Sequence, residues 1–285
     1  MKARLTLAAA LLTLAGTTAH AEAPERLAVF DLGSLDTLDA LALESRVAGV
    51  PKQSLPSYLA AFEGDAYADL GGLRSPDLDA LAGLDPSLIV ITGRQNDWRE
   101  EFEALAEVQD ASLAGDDYLA AVEANARRLA ERLEADAGPA LAELRAHIEA
   151  ARQALDGAPE VLVATHNGGN LMLNNHPVVH QVLGLTQPAG AAGLAGEARG
   201  ERVFTPLSHD AVAELAPEIL LIIDRSAAIG DAPLVPAGLE AELAAAGAEA
   251  TRVAVLSPAL WYLSGGGLQS LRLQVDEVVA ALSQG

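Results

Sequence analysis

The chain has 285 residues, 51% of them hydrophobic, and a formal net charge of −22 from 40 acidic and 18 basic side chains. So acidic a chain argues against nucleic acid or an anionic membrane surface as a partner, since both need basic patches. It contains no cysteine, which excludes disulfides and a lipid anchor on a lipobox cysteine.

Met1 to Arg4 is basic, Leu5 to Ala15 is apolar, and Ala19-His20-Ala21 has the A-x-A form of a cleavage site. This predicts a secretory signal peptide over residues 1–21, cut after Ala21, and a soluble exported protein, most simply periplasmic. No later apolar run approaches the roughly 20 residues of a membrane span. Leu27 to Phe30 reads as a first strand. Gly33 and Ser34 then make a turn, and Leu35, Leu38 and Leu41 or Leu43 give a helical face. Val47 to Val50 is a short strand, and Pro51 to Tyr58 a loop punctuated by two prolines. Ser75-Pro76 is expected to start a helix that Asp85-Pro86 ends, with a strand to Ile91 after it. Asp117–Asp136 and Ala140–Leu155 read as two amphipathic helices separated by Gly138-Pro139, the second a connector lying across two lobes.

Strands restart with Glu160 to Ala164. Thr165-His-Asn-Gly-Gly-Asn170 reads as a polar loop at the carboxyl end of a strand, where open sheets bind ligands. His176 to Leu185 reads as helical, Gln187 to Arg202 is poor in order signals, and Val253 to Leu256 is the last core strand. Trp261 to Gly267 reads as a loop before a closing helix over Leu268 to Leu282. Short helices alternating with apolar strands imply parallel sheets with helical crossovers, hence an α/β fold.

One stretch occurs twice, 131 residues apart and without a gap: Asp79-Ala-Leu-Ala-Gly-Leu-Asp-Pro-Ser-Leu-Ile-Val-Ile-Thr-Gly-Arg94, and Asp210-Ala-Val-Ala-Glu-Leu-Ala-Pro-Glu-Ile-Leu-Leu-Ile-Ile-Asp-Arg225. A repeat at that spacing predicts two similar lobes rather than a solenoid, whose period is roughly 20–50 residues. Arg94 and Arg225 each follow an apolar strand, so in facing lobes both project into one cleft. There a guanidinium grips an anionic or carboxylate-bearing ligand bidentately. The alternative is pairing with a local acid, Asp97 or Asp224. Asp79 and Asp210 also match, either as acids complementing a helix dipole or as docking residues at the outer tip of each lobe. His176 and His180, four apart, would need a third ligand to hold a metal. No nucleophile elbow, Walker loop, zinc-protease motif or dinucleotide fingerprint occurs.

Phe30-Asp-Leu-Gly-Ser-Leu-Asp-Thr-Leu-Asp39, Gly49-Val-Pro-Lys52 with Pro56-Ser-Tyr-Leu59, Ile91-Thr-Gly-Arg-Gln95, Asp224-Arg225 and Trp261-Tyr-Leu-Ser-Gly-Gly-Gly-Leu-Gln-Ser-Leu271 together resemble the periplasmic siderophore-binding proteins of iron ABC importers, in the branch that binds ferric catecholates. The resemblance covers essentially the whole chain after the leader. It implies two Rossmann-like α/β lobes joined by a single long helix, the class III arrangement. The N-terminal lobe would span 22–137, the connecting helix 138–157 and the C-terminal lobe 158–285.

An anionic ferric siderophore would sit between the lobes and be passed to the permease subunits of an ABC importer. The protein would be a monomeric carrier, neither membrane-inserted nor enzymatic, with no cofactor of its own. The resemblance places Arg94, Gln95, Arg225 and Tyr262 at the ligand, with Lys52 and Tyr58 beside them. Tyr58, Trp98, Trp261 and Tyr262 are candidate aromatic walls. Of the family's three arginines the third falls near Asn175, where none stands. The family's iron-ligating tyrosine matches Tyr262. Its histidine partner belongs to a segment that here reads Thr205-Pro206-Leu207, which leaves His209, three residues on, or His166 as substitutes. Asp79 and Asp210 match the acids that engage permease arginines. The same fold carrying haem, a corrinoid or another metal chelate is the nearest alternative. An exported hydrolase would need a nucleophile–base pair that the sequence does not display.

Overall fold

A computed structural model describes residues 25–199 and 202–283. The leader and its cleavage site lie outside the described residues. The N-terminal lobe holds β1 (Leu27–Val29), α1 (Leu32–Ala40), β2 (Val47–Val50), β3 (Ala68–Asp69), α2 (Leu78–Leu84), β4 (Leu88–Ile91), α3 (Arg99–Glu103) and β5 (Glu107–Asp110). Its five strands are all parallel, in the order β3-β2-β1-β4-β5. Because side chains alternate across a strand, Leu27, Val29, Leu88 and Val90 pack on the α1 face, while Ala28, Phe30, Ile89 and Ile91 meet Leu81 of α2 and Phe102 of α3 on the other.

Two helices follow, α4 (Tyr118–Arg132) and α5 (Gly138–Ala154). The C-terminal lobe then holds β6 (Val161–Asn167), β7 (Asn170–Leu173), a separate hairpin of β8 (Glu197–Arg199) and β9 (Arg202–Phe204), α6 (His209–Leu215), β10 (Ile219–Asp224), α7 (Arg225–Ala228), α8 (Pro236–Ala245), β11 (Arg252–Leu256) and α9 (Leu268–Ser283). The sheet order is β11-β10-β6-β7, parallel except for β7. The polar stretch expected to be a loop is instead a hairpin: β6 runs on through Asn167, and Gly168 and Gly169, with φ of 57° and 81°, turn it into β7. Two consecutive positive-φ residues make the primed turn that matches strand twist, and glycine adopts it without strain.

The twice-used stretch builds the same object in each lobe. In both, a seven-residue helix carries its aspartate at the second position, Asp79 in α2 and Asp210 in α6. The first helix is capped by Asp77, not by Ser75 as expected, because Ser75-Pro76 belongs to a tight turn bridged to Gly71. Both helices end on a non-glycine residue in the left-handed region, Asp85 (φ 49°) and Ala216 (φ 45°), immediately before the proline. The equivalence extends to register. Leu88 pairs with Leu27 and Glu107, and Ile219, its counterpart, pairs with Val161 and Arg252.

Joining the lobes is shared work. α4 and its C-cap send Leu129 and Leu133 into the N-terminal core and Val122, Ala126 and Ala130 into the C-terminal one, whereas the apolar stripe of α5, from Leu141 to Ala151, packs wholly with the latter. α9 packs against both α5 and α1. At that seam Asp36 of α1, fully buried, accepts from the backbone N–H groups of Gln269 and Ser270 at 3.1 Å each and from the Tyr58 hydroxyl at 3.2 Å. A carboxylate of one lobe thus caps the first turn of a helix in the other. Burial pushes its pKa up to about 7 in spite of these donors. A Cβ on Gly33 would collide with the Gly265 carbonyl, and one on Gly267 with Asp36, so glycine is what lets the two backbones approach.

Candidate functional site

Each repeat arginine rides the first turn after an inner strand of its sheet, β4 or β10. Behind β4, the Gln95 side chain accepts from the Thr92 N–H at 3.1 Å and closes the turn that bears Arg94. The Arg94 guanidinium crosses to the other lobe and donates to the carbonyls of Leu263 (2.9 Å) and Tyr262 (3.1 Å). Desolvation, with a contribution from the nearby Arg74 charge, lowers its pKa from the usual arginine value; the guanidinium remains charged at any physiological pH. Behind β10, Asp224 caps α7 and Arg225 is its first residue. Arg225 Nε donates to Tyr262 Oη at 2.7 Å and Nη1 to Asn167 Oδ1 at 2.6 Å. Among the described residues neither arginine has a carboxylate partner, and Asp97 and Asp224 do not serve as one.

The two arginines line one cavity of about 300 Å³ between the lobes, together with Arg74, Tyr262, Leu73 and Ile229, and no acidic side chain lines it. An adjoining cavity of about 290 Å³ lies on the other side of Arg94, against Asp31, Thr92 and the Ser264–Gly266 loop. A larger and more open groove of about 660 Å³ is on the N-terminal lobe, but Asp69, Asp77 and Asp79 line it. For an anionic ligand the sign of the charge decides for the interlobe cavity. Among the described residues no group of three or more His, Cys, Asp or Glu converges to hold a metal.

Several residues expected at the ligand are committed elsewhere. His166 is 4% exposed, and both ring nitrogens are used: the Gly169 N–H donates to Nε2 at 3.0 Å, so Nδ1 carries the hydrogen and donates to Asp224 Oδ1 at 2.7 Å. Burial alone would raise the Asp224 pKa. The imidazole and the N–H groups of Leu234 and Ala227 outweigh it and hold the carboxyl below the usual carboxylate range. Gln95 is fully buried and donates to the Leu73 carbonyl at 2.7 Å. Lys52 Nζ donates to the carbonyls of Glu63 and Gly64, both at 2.9 Å. Tyr58 is held at the seam by Asp36. His209 pairs with Glu242 of α8 at 3.4 Å and does not line the cavity with Tyr262.

Of the aromatic candidates only Tyr262 lines the cleft. Trp261 is buried with its Nε1 donating to Glu277 at 2.6 Å, and Trp98 lines the acidic groove. Asp79 and Asp210 are exposed at equivalent helix starts. Sequence reasoning missed Asn167 and Arg74. Their Asn-Gly-Gly-Asn and Gly-Gly-Leu-Arg-Ser-Pro contexts signal turns but give no sign of which way a turn faces.

Comparison with known proteins is consistent with this geometry. Residues 27–253 match the periplasmic binding protein family. The petrobactin-binding protein YclQ of Bacillus subtilis is 32% identical over 270 residues, which cover 92% of this chain and 83% of that protein. Its crystal structure superposes with a TM-score of 0.78, at 30% identity over 92% of this chain and 93% of that one. The ferric-anguibactin-binding protein FatB of Vibrio anguillarum is 25% identical over 93% of this chain and 84% of its own length. The iron-uptake substrate-binding protein PiuA of Streptococcus pneumoniae has a TM-score of 0.78, at 28% identity over 90% and 92% of the two chains.

Proposed function

The chain belongs to the periplasmic binding protein family and has its class III, two-lobed fold, and from that membership and its cleft we propose that it captures an anionic ferric siderophore, catecholate-type first, and delivers it to an ABC importer. The observation that carries the reading is electrostatic. In a chain of net charge −22, Arg94 and Arg225 face one interlobe cavity that no acidic side chain lines, and among the described residues neither is ion-paired to a carboxylate. Guanidinium groups without a direct carboxylate partner in a partly desolvated cleft bind an anion through charge-assisted hydrogen bonds. Relatives named for petrobactin and ferric anguibactin support a siderophore as that anion. Membership of a binding-protein family also separates the chain from exported hydrolases.

Iron is cargo here. Tyr262 Oη, which accepts a hydrogen bond from Arg225 Nε, is the phenol oxygen that lines the cleft and is the proposed side chain nearest the iron complex. With His166 and His209 engaged elsewhere, the siderophore itself supplies all or nearly all iron ligands. Asp79 and Asp210, exposed at equivalent positions of the two lobes, are the proposed docking contacts for basic side chains of the permease. Export through the leader, cut after Ala21, would put the carrier in the periplasm. Titration with a panel of ferric siderophores, followed by the fluorescence of Trp98 and Trp261, tests the proposal. Quenching by a catecholate complex is expected, and no response to any ferric siderophore would overturn it.

A further inference from the structure

We propose that Arg74, from the turn after β3, is the third ligand-gripping cation of the cleft, so that the N-terminal lobe supplies two of the three charges and the C-terminal lobe one. This rests on reading the cavity as the anion site. Arg74 stands near the tip of a tight turn. Gly72 N–H donates to the Ser75 carbonyl at 3.0 Å, Ser75 N–H returns to the Gly72 carbonyl at 3.3 Å, and Gly71 bridges to Pro76. The tip is fixed from beneath. Gln95 Nε2 holds the Leu73 carbonyl at 2.7 Å and Trp98 Nε1 holds the Arg74 carbonyl at 3.3 Å, while the Leu73 side chain is buried in the lobe core. Because Gln95 also closes the turn that bears Arg94, one buried amide ties the two arginine-bearing turns together.

The guanidinium itself is left over. The acids nearest in sequence are spent on backbone: Asp69 accepts from the Gly71 N–H at 2.9 Å and Asp77 from the Ala80 N–H at 2.9 Å. Among the described residues Arg74 has no carboxylate partner, and it lines the same acid-free cavity as Arg94 and Arg225. Its charge is also close enough to help depress the Arg94 pKa. Two like charges held together by a rigid frame repel, and an anion between them offsets that repulsion. The site that the family resemblance marks for a third arginine, Asn175, is exposed and does not line the cavity. Across from Arg74 the C-terminal lobe offers Ala228 and Ile229, the latter 42% exposed, so the ligand's acidic groups would gather at the N-terminal lobe and its apolar part would face Ile229.

The test compares wild type with R74Q and with R272Q, which removes the same charge from the exposed face of α9. Ferric petrobactin is titrated by fluorescence and citrate, an iron-free tricarboxylate, by calorimetry. Expected is ferric-petrobactin binding about 10- to 100-fold weaker in R74Q, the range for losing a hydrogen bond between charged groups, with R272Q matching wild type and all three melting alike. R74Q binding as tightly as wild type, or R272Q weakened equally, overturns the inference and leaves the proposed function standing. Wild type ignoring ferric petrobactin counts against that function instead. The citrate arm then decides Arg74: weaker citrate binding in R74Q supports it, and equal or absent binding in wild type and R74Q overturns it.

Discussion

The two lobes share a backbone unit and differ in what they ask of its side chains. Helix, left-handed cap, proline, inner strand and arginine recur in matching register. Yet Arg94 reaches across to bond backbone carbonyls of the opposite lobe, while Arg225 bonds two side chains, Tyr262 and Asn167, on its own side of the cleft. The residue before each arginine shows the same divergence. It is Gly93 in the N-terminal lobe, and in the C-terminal lobe Asp224, which with His166 forms a buried pair that the first lobe lacks. A repeat conserves the geometry that places an arginine and leaves free the network that restrains it.

The largest test of that difference is Asp224→Ala. It leaves the His166 Nδ1–H and the N–H groups of Ala227 and Leu234 without their acceptor. Leaving a buried donor without its acceptor costs about 1–3 kcal/mol. Urea melts should show such a loss, whereas Gly93→Ala, at the equivalent exposed position, should be nearly neutral.

The second test contrasts the buried acids of the two lobes by pH. Asp36 has a folded-state pKa raised to about 7 by burial. Between the unfolded carboxylate value of about 4 and 7 the folded state therefore binds more protons, and this group makes stability fall as pH rises, by up to about 1.4 kcal/mol per pH unit. Asp224 is depressed, so its contribution is present above the ordinary carboxylate range and is lost as pH falls below it. Asp36→Asn should flatten the decline measured between pH 4 and 7, and an unchanged slope would remove Asp36 as its source.

Next in size, Arg94→Ala should weaken ligand binding and also destabilise the fold by about 1–3 kcal/mol, because it frees two interlobe carbonyls. Arg225→Ala should weaken binding with a smaller loss of stability. Equal stability losses would erase the proposed distinction between a tying arginine and a gripping one. The smallest effect concerns the shared cap. Asp85→Gly and Ala216→Gly each relieve a left-handed non-glycine residue and should stabilise by up to about 1 kcal/mol. Thermal melts that respond in one lobe alone would show that the caps are not equivalent.

Most of the architecture could be read from the chain. Apolar runs such as Val47–Val50 and Leu88–Ile91 can be buried only as strands, and Asp85-Pro86 stops a helix wherever it occurs. β3 and β5 escaped because they are two and four residues long and carry the acids of edge strands. The hairpin of β6 and β7 reads as a loop because Thr165 to Asn170 is polar throughout and its turn residues are those of any loop. Arg94, Arg225 and Tyr262 were legible through the repeat and a motif. Lys52, Gln95 and His166 looked equally available, and packing consumed them.

The sequence by itself determined where the long apolar strands and the longer helices fall, since those follow from periodicity and turn chemistry within a few neighbouring residues. It also determined that two like units exist, each delivering an arginine after a buried strand. Tertiary structure alone decided which polar groups stay free. Whether a side chain meets a carbonyl, a carboxylate or open cleft depends on residues up to 234 positions away, as Asp36 beneath Ser270 shows. Hydrogen-bond satisfaction is a contest among all such neighbours: it claims His166 and Gln95, gives Arg94 and Arg225 only neutral partners, and leaves these two and Arg74 lining one cavity without an acid.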